Sequence, residues 1–86
     1  MPQVILKQGA SRAEFDALAT AKGLAMDSEN HALLELPTAT GGTVVCDLFY
    51  VGDQIVGSVF ETLPAPAIPG FKEWGFDQVW DFFLKT

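Results

Sequence analysis

The chain has 86 residues, with five Lys and Arg against eleven Asp and Glu and a formal charge of −6. Hydrophobic residues make up 49% and mean hydropathy is +0.24, too apolar for a disordered chain, while the length allows one core and leaves no room for a second domain. The acidic excess, and the scatter of Lys7, Arg12, Lys22, Lys72 and Lys85, argue against direct nucleic-acid binding and against an anionic membrane, and favour a basic protein surface as partner.

No apolar run approaches the roughly 18 residues of a membrane span, and the start MPQVILKQGA has no charged region followed by a long apolar one. A single cysteine, Cys46, has no partner for an internal disulfide. A cytoplasmic protein is the expectation.

Residues 3–8 read as a buried strand built on Val4, Ile5 and Leu6 and closed by Gly9. Ser11-Arg12-Ala13-Glu14 has the form of a capping box, in which the Ser11 hydroxyl accepts from the Glu14 N–H while the Glu14 carboxylate accepts from the Ser11 N–H. Phe15, Leu18, Ala19 and Lys22 follow at helical spacing and Gly23 stops the run, which predicts a helix over 12–22. Leu24-Ala25-Met26 and His31 to Leu36 flank the turn-rich Asp27-Ser28-Glu29-Asn30 and form a loose hairpin.

The main strand signal comes next, where Thr43–Val51 and Gln54–Leu63 surround the two-residue loop Gly52-Asp53. Counting outward from that loop sets Val51 against Gln54, Tyr50 against Ile55, Phe49 against Val56, Leu48 against Gly57 and Asp47 against Ser58. One face then carries Val44, Cys46, Leu48, Tyr50, Ile55 and Val59. The other carries Val45, Phe49, Val51, Val56 and Phe60, interrupted by Thr43, Asp47, Ser58 and Thr62.

Residues 63–70 hold three prolines and read as an extended strap of roughly 20–25 Å running from a sheet edge to a sheet face. Gly75 weakens a helix start, so 71–74 reads as a separate turn; Phe76, Val79, Trp80 and Phe83 then make an amphipathic stripe expected to join the core. Trp74 and Phe82 fall off that stripe and are expected at the rim. The sum is a small two-layer α+β domain of order β-α-β-β-β-β-α, with a mainly antiparallel sheet and both helices on one face.

No strong chemical motif accompanies this pattern. His31 is alone and reads as a strand-start residue, so no metal or other cofactor is expected. No nucleophile elbow surrounds Ser11, Ser28 or Ser58, and the expectation is a protein that is not an enzyme. Cys46 alternates with Val44 and Leu48 as a small buried hydrophobe. Gly41-Gly42 precedes a strand, not a helix, and so lacks a phosphate cradle.

Asp47 is unusual in the middle of an apolar strand. It reads either as half of a solvent-facing pair with Ser58 or as the polar anchor of a binding surface. The second reading defines a candidate protein interface of Val45, Asp47, Phe49, Val56, Ser58 and Phe60, uncovered if both helices take the other face, with Trp74 and Phe82 at the rim.

Three functions are consistent with these features. The first is an acidic protein-binding module, such as an inhibitor, immunity or accessory protein of a phage or mobile element. The second is a homo-oligomeric structural or assembly protein that buries the spare face against a second copy. The third is a small-molecule-binding or catalytic domain.

Overall fold

The computed structural model describes residues 3–63 and 70–85. In chain order these form β1 (Val4–Lys7), α1 (Arg12–Ala21), β2 (Ala25–Ser28), β3 (His31–Pro37), β4 (Thr43–Val51), β5 (Gln54–Leu63), β6 (Gly70–Glu73) and α2 (Phe76–Leu84). All six strands pair antiparallel in one sheet, ordered β1-β5-β4-β3-β2, with β6 also on β5. The α+β class and element order match the sequence reading, with β6 added where a turn was expected at 71–74.

Helix α1 begins as its cap sequence dictates: Glu14 N–H donates to Ser11 Oγ at 3.2 Å, and Ser11 N–H donates to Glu14 Oε1 at 3.1 Å. Its ten residues rise about 15 Å, about three of the four inter-strand spacings between β1 at one edge and β2 at the other, and the flanking residues cover the rest. The β4–β5 register is the one counted from the loop, residue for residue. Gly52 takes φ +64° while Asp53 stays at negative φ, so the turn has the glycine-first form that follows the strands' right-handed twist.

Phe15 and Ala19 of α1 and Val79 and Phe83 of α2 are buried in one cluster with Val4, Leu6, Ala32, Cys46, Leu48, Ile55 and Val59. The β4 and β5 members are all of one alternation. Helix α1 lies against β2 and β4, and α2 against β1 and β5. Gly57 lets α2 approach: a Cβ placed there would lie 2.8 Å from Phe83 Cε2. Tyr50, on the same face, donates its hydroxyl to Ala10 O at 2.7 Å and stands 5.7 Å from the Phe15 ring.

Four expectations need correction. Strand β1 is half-buried, not buried, because it lies at the sheet edge with Val4 and Leu6 inward and Ile5 outward. The core stripe of α2 is narrower than its sequence pattern: Val79 and Phe83 are buried, whereas Phe76 and Trp80 stack on each other at 5.6 Å and are 56% and 38% exposed. Trp74 and Phe82 are half-buried against the core and each other, not free at a rim. The prolines at 64–69 lie outside the described residues, but Leu63 and Gly70 at either end are cross-strand partners, so the segment joins two neighbouring strands rather than an edge to a face.

Candidate functional site

The face opposite the helices contributes nothing to the core cluster, and its side chains form rows that cross the sheet. His31, Phe49, Val56 and Ile5 make one row over β3, β4, β5 and β1; Leu33, Asp47 and Ser58 the next; Glu35, Val45, Phe60 and Glu73 a third, ending on β6. All six sheet residues proposed from sequence fall in these rows. Trp74 and Phe82 do not join them: Trp74 Nε1–H donates to Glu61 Oε1 at 2.9 Å, and Glu61 shares the helix-side alternation with Val44 and Val59.

Large neighbours shield one another, so Val56, set between Phe49 and Ile5, is only 9% exposed on this face. The periphery is not shielded. Ile5 is 44%, Val51 58% and Phe71 63% exposed, so an apolar surface is presented to solvent around a half-buried centre.

Asp47 is neither a free surface carboxylate nor simply the partner of Ser58. Its side chain is 17% exposed, and Oδ1 lies 2.7 Å from His31 Nε2, while His31 Nδ1 lies 3.1 Å from Asp27 Oδ2. Two carboxylates, which only accept, can both be satisfied by one imidazole ring only if both ring nitrogens donate, which is the imidazolium form. Partial burial works against that charge, but the hydrogen bonds to Asp47 and Asp27 and their negative charges outweigh it and raise the His31 pKa above its ordinary 6.5. The ring also stacks on Phe49, with centroids 4.4 Å apart and planes inclined by 12°. His31 thus ties three strands together across the open face.

The arrangement does not provide catalytic chemistry of the Ser-His-Asp kind. Both imidazole nitrogens face carboxylates, which leaves no ring nitrogen to take a proton from a hydroxyl. Cys46 is buried on the helix side, and its thiol is pushed up to about 11 by burial, with the Asp47 charge adding to the effect. Among the described residues no group of His, Cys, Asp and Glu is arranged to hold a metal ion, and no helix is long and apolar enough to cross a membrane.

A hollow of about 340 Å³ opens on this face between Asp47, Ser58, Phe49, Phe60, Phe71 and Glu73. A second, of about 370 Å³, adjoins it through Gln3 and Phe49 and runs along Ile5, Val51 and Val56. The sequence pattern reached Asp47, Phe49, Ser58 and Phe60. It missed His31, Phe71 and Glu73, whose places depend on the pairing of β3 with β4 and of β6 with β5.

The basic residues are confined to one side of the sheet, whereas carboxylates occur on both. Asp27, Glu35, Asp47 and Glu73 belong to the open face, which has His31 and no Lys or Arg. Lys7 pairs with Glu14, Arg12 lies over the Tyr50 ring, Lys22 over Phe82 and Lys85 beside Asp81, all among the helices; Lys72 sits opposite Glu61 on the helix-side alternation. Comparison with known proteins finds no matching family, no matching curated protein and no matching solved structure.

Proposed function

We propose that this chain is a small acidic protein-binding module that uses its open sheet face to engage a partner with a basic surface. The observation that carries the reading is the one-sided placement of the basic residues: the open face is an apolar surface with four carboxylates and no Lys or Arg, while every Lys and Arg lies on the helix side. Carboxylates around an apolar centre steer a cationic partner toward it and oppose an anionic one. A second copy would bring carboxylates onto carboxylates, which disfavours self-association through this face. The narrower role of an inhibitor, immunity or accessory protein fits a module whose work is to cover another protein.

Affinity capture on the immobilised protein tests this, with retained proteins identified by mass spectrometry at low and high salt. The expected ligand is basic, released by salt, and lost from the Glu35→Lys/Glu73→Lys variant but not from Trp80→Ser on the far side. A ligand indifferent to the open-face charges, or lost only with Trp80→Ser, overturns the reading. Light scattering should find a monomer; a dimer dispersed by Phe49→Glu would replace the proposal with self-assembly.

A further inference from the structure

We infer that the hollow beside Phe60 and Phe71 is a socket for an arginine side chain of the partner, an inference that rests on the protein-binding reading above. The sheet itself makes the socket. Strands β1 and β6 share one edge of β5, with β1 pairing as far as Val4 with Gly57 and β6 as far as Glu73 with Phe60. Ser58 and Val59 fall in the gap between them, and the small Ser58 side chain leaves the floor low between two raised walls.

The walls are aromatic. Phe60 and Phe71 meet edge to face, with centroids 6.1 Å apart and planes at 73°, and form a corner. Phe49 stands across from them, one side of its ring already held by His31. The polar groups are Asp47 and Ser58 on the floor, Glu73 at the rim and the amide side chain of Gln3. Asp47 Oδ1 faces His31, which leaves its other oxygen for a guest, and among the described residues Glu73 has no ion-pair partner.

These features select among ligands. A neutral apolar guest would gain contact with the rings but strip water from two carboxylates without pairing them, and an anion would be repelled. A cation is attracted by the ring faces and by the carboxylates together. Between the two cationic side chains, the planar guanidinium stacks on an aromatic face while its edge meets a carboxylate with two parallel N–H donors, and it sheds water more readily than an ammonium. The hollow is half-open to solvent on the sheet surface, which lets a side chain enter from a partner backbone lying over the face.

The test titrates the full chain with N-acetyl-arginine methylamide, its lysine counterpart and its neutral citrulline isostere, followed by NMR of the Phe ring and Ser58 amide signals. Expected are saturable shifts at Phe49, Phe60, Phe71 and Ser58 with arginine at millimolar concentrations, about fivefold weaker binding of lysine and at least about tenfold weaker binding of citrulline. Glu73→Gln, an edge-strand change outside the core, should weaken arginine binding about threefold or more with the spectrum otherwise intact. Equal binding of all three probes, shifts elsewhere, or no shifts at tens of millimolar overturn the socket. If charge reversal abolishes partner capture while the arginine probe never binds, the socket fails and the protein-binding reading stands; if neither responds, both fail.

Discussion

Replacing Gly57 by Ala isolates the contact that seats α2 on the sheet. The new Cβ would lie 2.8 Å and 2.9 Å from Phe83 Cε2 and Cδ2 and 3.0 Å from Leu6 Cδ1, where ordinary carbon contacts need about 3.5–4.0 Å. Phe83 is 1% exposed and is braced by Phe82 at 5.0 Å, so its ring has no free space and the helix must lift instead. Overpacking of this kind costs about 1–3 kcal/mol, and the gain from removing a strand glycine returns about 0.5–1, leaving a net loss of about 1–2 kcal/mol. In urea, with a slope of about 1 kcal/mol/M for a domain this small, the unfolding midpoint should fall by about 1–2 M. Combining the change with Phe83→Leu, which removes the opposing ring edge, should recover part of that loss, a favourable coupling of at least about 0.5 kcal/mol. An unchanged or raised midpoint for Gly57→Ala, or strict additivity in the double variant, would show that α2 does not press on β5 at this point.

The asymmetry within α2 is measurable the same way: Phe83→Ala should cost about 3–5 kcal/mol in chemical unfolding, and Trp80→Ala, at 38% exposure, well under half of that. The imidazole of His31 should titrate by NMR above its ordinary 6.5, and Asp47→Asn should lower that midpoint; a wild-type midpoint at or below 6.5 would contradict the two-carboxylate geometry. Because the folded-state pKa is the higher one, the stabilisation from His31 is complete below about 6.5 and is lost as pH rises through the folded value. His31→Gln should therefore cost more stability near pH 6 than near pH 8.5, as read by parallel urea melts. Cys46 should resist a thiol-specific reagent in the native protein and react at the rate of unfolding, since its thiol is buried with a pKa of about 11; rapid labelling at neutral pH would refute that placement.

Local chemistry made part of this structure legible. The capping residues Ser11 and Glu14 fix where α1 begins, and a two-residue loop at Gly52-Asp53 leaves one register for the strands it joins, so the faces of β4 and β5 follow by counting. The connection between β3 and β4 has no such constraint. Thr38 to Gly42 form a wider turn closed by Thr38 N–H to Gly42 O, and without its geometry nothing in the sequence sets His31 opposite Phe49 and within reach of Asp47. Strand β6 was hidden for a related reason: four residues behind a proline-rich stretch carry too little periodicity to declare a partner. In α2 the stripe 76, 79, 80, 83 and the set 79, 82, 83 both have helical spacing. Only the docking of Phe83 beside Gly57 and Leu6 decides that Phe82, not Trp80, turns toward the sheet.

The pairing of β1 with β5 bears on the order in which the chain folds. Strands β2 to β5 form a meander in which each joins its neighbour through a short connection, so their ladders can grow one hairpin at a time. Strand β1 precedes all of them in the chain, yet its only ladder partner among the described residues is β5, across more than half the sequence. Closing that span is entropically costly until β5 is in place, so β1 is the strand that docks late and leaves early. While it is away, the inner edge of β5 at Ile55–Gly57 presents unpaired backbone groups that another molecule's β1 fits as well as its own. Exchange of that first strand between two chains, hinged near Gly9, is the misassembly this topology predicts at high concentration.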